Sequence, residues 1–142
     1  MSNNELDLII EEITSYNQFS DIDIEKIVDS EIGYAFRIAK FARKQMFKSN
    51  QLRGILDAMK RIEQSKKEWN EKRIEFYLLK PRLSVAVTKR VISPEIYDVL
   101  ITAMSLIDVG DDNNKNFENF KYFVYFFESI LAYYKFLEAY DV

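Results

Sequence analysis

The sequence predicts an all-α protein, a compact bundle of about five or six helices with a long aromatic-rich C-terminal helix. Turn residues are scarce, since 142 residues contain only three glycines and two prolines, and sheet proteins of this size usually need more of them. Apolar residues recur at spacings of three and four along most of the chain, as in helices that bury one face. The hydrophobic fraction of 48% is large enough to form a core. We therefore predict a single helical domain over residues 1–142.

The N-terminal part of the chain, residues 1–36, is predicted to form short helices with an acidic surface. Residues 4–13 place apolar side chains at the i, i+3, i+4, i+7 positions of one helix face. Ser20 is predicted to cap a second helix over residues 22–28, and Asp29 or Ser30 to cap a third. The apolar stripe predicted for that third helix consists of Ile32, Ala35, Ala39, Ala42 and Met46.

Two longer helices are predicted in the middle of the chain. The segment 48–50 is expected to separate the third helix from a fourth, with Ser49 or Asn50 as the cap. A loop or helix end is expected at residues 66–70, followed by a fifth helix over residues 73–89. Pro81 falls inside this fifth helix and should either kink it or divide it. The predicted stripes are Leu52, Ile55, Leu56, Met59 and Ile62 in the fourth helix, and Ile74, Tyr77, Leu78, Val85 and Thr88 in the fifth.

The last third, residues 91–142, is predicted to form a helical hairpin that supplies an aromatic core. Ser93 followed by Pro94 is a helix start signal, and residues 110–114 form the expected loop. Residues 117–140 contain eleven aromatic residues and would form a helix about 36 Å long. Outward tyrosines at 122, 125 and 133 could serve an interaction surface. The predicted buried stripe is Phe120, Phe123, Phe127, Ile130, Leu131, Tyr134 and Leu137.

The charges are distributed unevenly along the chain. Residues 1–36 carry a net charge of −8, residues 37–90 carry +11, and residues 91–142 carry −6. A basic middle between acidic ends indicates a face that binds a polyanion. The alternative is that these charges lie on solvated helix faces and pair with acidic neighbours.

The composition excludes several classes of function. The chain has no His and no Cys, so it lacks the commonest general base, the commonest metal ligand and any thiol nucleophile. Three isolated glycines cannot form a Gly-rich phosphate loop, and the few carboxylate pairs are typical of loops and caps. We therefore expect no catalytic residues, no metal and no cofactor. Without a signal peptide or a membrane-spanning stretch, we expect a soluble cytoplasmic protein that does not contact membranes.

The basic region, residues 37–90, supplies the candidate functional residues. One group of cations is predicted around the junction of the third and fourth helices and another around Pro81. Guanidinium groups suit bidentate phosphate contacts, and no segment here resembles a helix that reads bases. We therefore predict sequence-independent binding to a nucleic-acid backbone. The leading candidates are Lys48, Gln51, Arg53, Lys80 and Arg82, followed by Arg43, Lys44 and Lys89.

Three motifs in order resemble the small subunit of the type III-A CRISPR effector, the Csm complex. They are Lys48-Ser49-Asn50-Gln51-Leu52-Arg53, Leu78-Leu79-Lys80-Pro81-Arg82-Leu83, and the segment Phe126-Phe127-Glu128-Ser129-Ile130-Leu131-Ala132-Tyr133-Tyr134-Lys135. The chain departs from the family at Asn50, where a Ser is usual, at Gly54, which replaces a Lys, and at Tyr134, which replaces a His. Gln51, Arg53, Lys80 and Arg82 match the motifs directly.

The resemblance implies an all-helical, non-catalytic subunit. Such subunits line the inner face of the complex and contact target RNA paired with guide RNA, mainly through phosphates, while other subunits of the Csm complex perform the cleavage. They would also bridge neighbouring subunits of the filament, and the isolated subunit could form a homodimer. Two alternatives remain: a helical protein–protein adaptor or dimerisation module whose basic face meets an acidic partner, and a bundle that binds a small molecule.

Overall fold

The computed structural model describes residues 5–142, and these form seven α-helices and no β-strand. The all-α bundle and the long C-terminal helix are thereby confirmed; Asn4, where the first predicted helix begins, lies outside the described residues. None of the helices within residues 5–142 has the length and apolarity to cross a membrane. The helices are α1 (Glu5–Ile13), α2 (Ile24–Val28), α3 (Tyr34–Ala42), α4 (Ser49–Gln64), α5 (Trp69–Thr88), α6 (Pro94–Met104) and α7 (Asn113–Ala139).

Helix α7 is the central packing element. Its 27 residues span about 40 Å, and both α3 and α4 pack against it, while α1 packs mainly on α6 and α3. A 3-10 turn, Phe19–Asp21, also lies on α7 and places the ring of Phe19 against Phe123 and Phe126. Every residue of the predicted α7 stripe is buried, which confirms that prediction.

The helix starts in the first third differ from the prediction. Ser20 does not cap α2, because it lies in the 3-10 turn and its backbone N–H donates to Asn119 Oδ1 at 2.9 Å. Neither Asp29 nor Ser30 caps α3; the Asp29 carboxylate instead accepts the backbone N–H groups of residues 31 and 32. Helix α3 begins after Gly33, where a Cβ would lie 2.6 Å from the backbone N of Asp29. That contact leaves room only for glycine.

The predicted stripe of α3 is wrong at both ends. Ile32 precedes the helix and is 73% exposed, and Met46 follows its end at Ala42 and is also exposed. The helix that follows, α4, buries its whole predicted stripe, which is confirmed. However, α4 begins after Lys48 without a side-chain cap, so neither Ser49 nor Asn50 has the predicted role.

Helix α5 presents the opposite face to the one predicted. It is one continuous helix of 20 residues that passes through Pro81. Its buried face includes Trp69 and Phe76, whose rings contact Phe120 of α7. The face with the bulkier aromatic side chains packs in the core because it buries more apolar surface. The stripe predicted to be buried, Ile74, Tyr77, Leu78, Val85 and Thr88, is exposed.

The starts of α6 and α7 follow familiar capping chemistry. The Ser93 side chain accepts the backbone N–H of Ile96 at 3.3 Å, and Pro94 occupies the first helical position, as predicted. Asp112 caps α7 through the backbone N–H groups of Asn114 and Lys115. Asp112 thus ends the α6–α7 connection, residues 105–112, and the predicted loop at residues 110–114 is wrong at its last two residues, which belong to α7.

Candidate nucleic-acid interface

A groove between α4 and α5 brings three of the predicted site residues together. Gln51 of α4, Arg82 of α5 and Lys89, the residue that follows α5, line it, and its volume is about 340 Å³. The two helices are neighbours because only four residues connect them. We call this the α4–α5 groove; its other lining residues are Ile55, Pro81, Val85, Ala86 and Val91.

Arg82 of α5 extends towards Gly54 of α4. One terminal guanidinium nitrogen of Arg82 lies 4.0 Å from the place where a Cβ on Gly54 would be. The guanidinium of α5 therefore extends across to α4, next to the position where the family pattern has a Lys. A Lys side chain there would compete with Arg82 for space and repel its charge. Arg82 thus places a cation beside position 54, where this chain has Gly in place of the Lys of the motif.

Backbone hydrogen bonds hold the start of α4 against the segment that follows α5. The N–H of Lys48 donates to the carbonyl of Val91 at 2.8 Å, and Phe47 forms an isolated β-bridge with Ile92. Lys48 is exposed and, through this pairing, lies next to the end of the α4–α5 groove that holds Lys89. The structure therefore adds Lys48 to the residues around the groove.

Arg53 and Lys80 lie on other flanks of their helices. Arg53 is two residues from Gln51, and Lys80 is two residues from Arg82. A separation of two residues corresponds to about 200° around a helix axis. Arg53 shares a flank with Asn50, whose side chain accepts a hydrogen bond from Lys135 of α7. Lys80 is directed towards the aromatic ring of Tyr77, with Nζ 4.9 Å from its centroid. Neither residue lines the α4–α5 groove.

Arg43 and Lys44 occupy a separate groove of about 460 Å³, formed by α3 and the end of α7. Arg43 Nε donates to the carbonyl of Val142 at 2.7 Å, and its guanidinium is 3.8 Å from the Asp141 carboxylate. The charge of Arg43 is therefore partly neutralised inside the molecule. The structure therefore separates the predicted group of cations around the α3–α4 junction: Arg43 and Lys44 line this groove, whereas Lys48 lies next to the α4–α5 groove.

The cations of the α4–α5 groove have no acidic partner among residues 5–142. The described ion pairs involve other cations, and Arg73 shows the contrast within α5, because both its Nε and a terminal nitrogen bind Asp108. The ion-paired cations are Arg37, Arg43, Lys60, Lys67, Arg73 and Lys115. Lys48, Arg82 and Lys89 therefore keep their full charge available for an external anion.

An exposed apolar ridge runs along α5, between the flank that carries Arg82 and the flank that carries Lys80. Ile74, Leu78 and Val85 are 63%, 61% and 49% exposed, and Pro81 lies between them on the same side of the helix. Arg82 and Lys89 border the ridge on the flank that faces α4, and Lys80 borders it on the other. The sequence signal for this surface was present: α5 carries apolar residues on two faces, and only one of them can face the core.

The family comparison matches the resemblance noted in the sequence. The chain matches the family model Csm2 Type III-A over residues 23–139. The chain belongs to this family. It is therefore a structural small subunit of a type III-A CRISPR complex, and the other Csm subunits are its partners. No curated protein and no solved structure shows a match to the chain.

Proposed function

We propose that this Csm2 subunit is non-catalytic and contacts the phosphate backbone of target RNA paired with guide RNA through the α4–α5 groove. The observation that carries the proposal is the convergence of Gln51, Arg82 and Lys89 in one groove, with both cations unpaired among residues 5–142. Within those residues, no three acidic side chains are grouped so that they could hold a metal ion. The cytoplasmic location predicted from the sequence is part of this proposal.

Each groove residue has a distinct chemical role in this proposal. The Arg82 guanidinium can bind two phosphate oxygens at once, while Lys89 and Lys48 act as point charges. The Gln51 amide can donate to or accept from a ribose hydroxyl. Because these groups contact sugar and phosphate, they supply affinity and position, and guide pairing supplies sequence specificity.

The exposed apolar ridge supports the second part of the proposal, the bridging of neighbouring subunits in the filament. Exposed apolar surface rimmed by charge is characteristic of protein–protein contact sites. The same observation favours the runner-up function, a helical adaptor or homodimer whose basic flanks meet an acidic partner. The two functions differ in whether the cations beside the ridge contact RNA or protein.

The RNA contact can be tested in the reconstituted complex. We label the target RNA and shorten the stretch that pairs with the guide. The stretch is shortened until the affinity of the wild-type complex falls within the range that fluorescence anisotropy can measure. Arg82→Gln with Lys89→Gln should weaken binding and lower the salt slope by about 0.7–0.9 per lost charge and copy. The control is Arg61→Gln with Lys66→Gln, which removes two exposed, unpaired cations at the other end of α4. Equal affinity and slope for both double variants would contradict RNA binding by the α4–α5 groove.

The subunit contact can be tested with a matched pair of leucines. Leu78→Gln alters the ridge, whereas Leu8→Gln makes the same change on α1, where Leu8 is similarly exposed, 54% against 61%. We expect Leu78→Gln to reduce incorporation into the complex in a pull-down and Leu8→Gln to leave it intact. Both variants should keep the wild-type Tm. Full incorporation of the Leu78 variant would exclude the ridge as a subunit contact.

A further inference from the structure

Helix α5 ends in a motif that normally requires glycine. The N–H of Val91 donates to the carbonyl of Ala86 at 2.8 Å, and the N–H of Arg90 donates to the carbonyl of Val87 at 3.0 Å. These two bonds form a Schellman motif, in which the residue after the C-cap adopts the left-handed conformation. Arg90 occupies that position with φ 61°.

Arginine is a costly choice at this position. In the left-handed region the Cβ of an L-residue crowds the following carbonyl, and glycine avoids this contact. Asn and Asp tolerate the conformation better, because their short polar side chains can hydrogen-bond locally. Within residues 5–142, the other non-glycine residue with positive φ is Asp141, which belongs to this tolerated class. Arg90 does not.

No contact inside the described part of the chain accounts for the arginine. Arg90 is exposed, and its side chain forms no hydrogen bond, ion pair or ring contact with residues 5–142. The carbonyls of Ala86 and Val87 that a basic side chain could cap are already bonded to the backbone. Both neighbours of Arg90 in the chain, Lys89 and Val91, line the α4–α5 groove.

We infer that Arg90 is a further RNA-contacting residue, held at the end of the α4–α5 groove by its left-handed backbone, and that it binds a phosphate of the RNA bound there. This inference rests on the proposed function and extends its site by one guanidinium. Lys48, Lys89 and Arg90 then surround the groove end where the start of α4 pairs with the segment after α5. The strain persists because binding needs the guanidinium at a position where folding favours glycine.

The test separates stability from binding in one substitution. Arg90→Gly removes both the strain and the charge, so the isolated subunit should melt about 2–4 °C higher. The reconstituted complex should bind the shortened target RNA roughly tenfold more weakly per copy. Its salt slope should fall by about 0.7–0.9 per copy. Arg90→Lys keeps the charge and should retain the wild-type salt slope.

Three results would overturn the inference. A Tm that does not rise in Arg90→Gly would remove the strain argument. Affinity and salt slope that stay at wild-type values in Arg90→Gly, while Arg82→Gln with Lys89→Gln loses binding, would exclude Arg90 and leave the proposed function standing. Wild-type binding by all of these variants would refute the proposed function and the inference together.

Discussion

The carboxylate of Asp108 joins α5, the α6–α7 connection and α7. Its Oδ1 accepts Trp69 Nε1–H at 2.9 Å and an Asn116 amide N–H at 3.3 Å. Its Oδ2 accepts Arg73 at 2.7 Å and 2.9 Å and the Tyr77 hydroxyl at 2.9 Å. Since the Asp108 side chain is only 10% exposed, we expect its removal to be among the most destabilising polar changes in the protein.

The partners of Asp108 allow the cost of Asp108→Ala to be worked out. Trp69 is 2% exposed, so its indole N–H would stay buried without an acceptor, at a cost of about 1–3 kcal/mol. Arg73 and Tyr77 are exposed enough to bind water instead and add at most about 1 kcal/mol. Asn116 keeps its bond to the Gly110 carbonyl at 2.8 Å. Together these costs give an expected loss of about 1–4 kcal/mol.

Asp108 also makes stability depend on acid. Burial raises the pKa of its carboxyl, but hydrogen bonds from Arg73, Trp69 and Tyr77 outweigh burial, and the pKa lies below its ordinary value of 3.8. The folded state therefore binds this proton less readily than the unfolded state. The stabilisation is complete above the unfolded pKa and is lost as the pH falls through the folded one. The difference in stability between wild type and Asp108→Asn should shrink below about pH 4.

Urea unfolding followed by circular dichroism measures both effects. Tyr77→Phe is the control, since it removes one exposed partner of Asp108 and should cost at most about 1 kcal/mol. The reasoning would be refuted if Asp108→Ala cost no more than Tyr77→Phe. It would also be refuted if the gap between wild type and Asp108→Asn stayed constant from pH 7 to pH 3.

Three other substitutions test the packing. Phe120→Ala should cost about 3–5 kcal/mol, because Phe120 is fully buried. The control Phe136→Ala, on the same helix, removes a 55% exposed ring and should cost under about 1 kcal/mol. Equal urea midpoints for the two variants would contradict the assignment of Phe120 to the core. Pro81→Ala should raise the Tm, because an exposed position inside α5 regains a helical hydrogen bond, and a lower Tm would show that proline relieves a constraint there. Asn119→Leu should cost about 2–4 kcal/mol in urea unfolding, because it strands the backbone N–H of Ser20 and the carbonyl of Ile107; the exposed Asn113→Leu should be tolerated, and equal losses would contradict this reasoning.

The sequence predicted the helices that bury a single apolar stripe and failed where two faces compete. In α4 and α7 one stripe dominates, so periodicity alone identified the buried residues. In α5 the buried face also contains Lys72, whose Nζ donates to the Glu63 carbonyl at 3.0 Å and lies 3.8 Å from the centroid of Phe117. A lysine at that position made the other face look more apolar, and only packing against α7 decides between the two.

The candidate site was predictable by residue type and only partly by location. The basic middle of the sequence contains all the groove cations, and the motif residues Gln51 and Arg82 do meet. Lys80 and Arg82 are neighbours in the sequence, yet they lie on opposite flanks of α5, as helical geometry requires. The pairing of the segment after α5 with the start of α4 depends on the whole bundle, so the proximity of Lys48 to Lys89 could not be predicted from sequence patterns.

The single tryptophan provides an intrinsic fluorescence signal for the folding of the protein. Trp69 is buried at the first residue of α5 against the rings of Phe76 and Phe120, and it is bound to Asp108. Arg82 lies 13 residues further along the same helix, at a distance of about 20 Å. The intrinsic fluorescence of Trp69 should therefore follow the packing of α5 on α7 and stay insensitive to a molecule bound in the α4–α5 groove. Stability and binding can then be measured in one sample by two optical signals that do not interfere, tryptophan emission and the anisotropy of a label on the RNA.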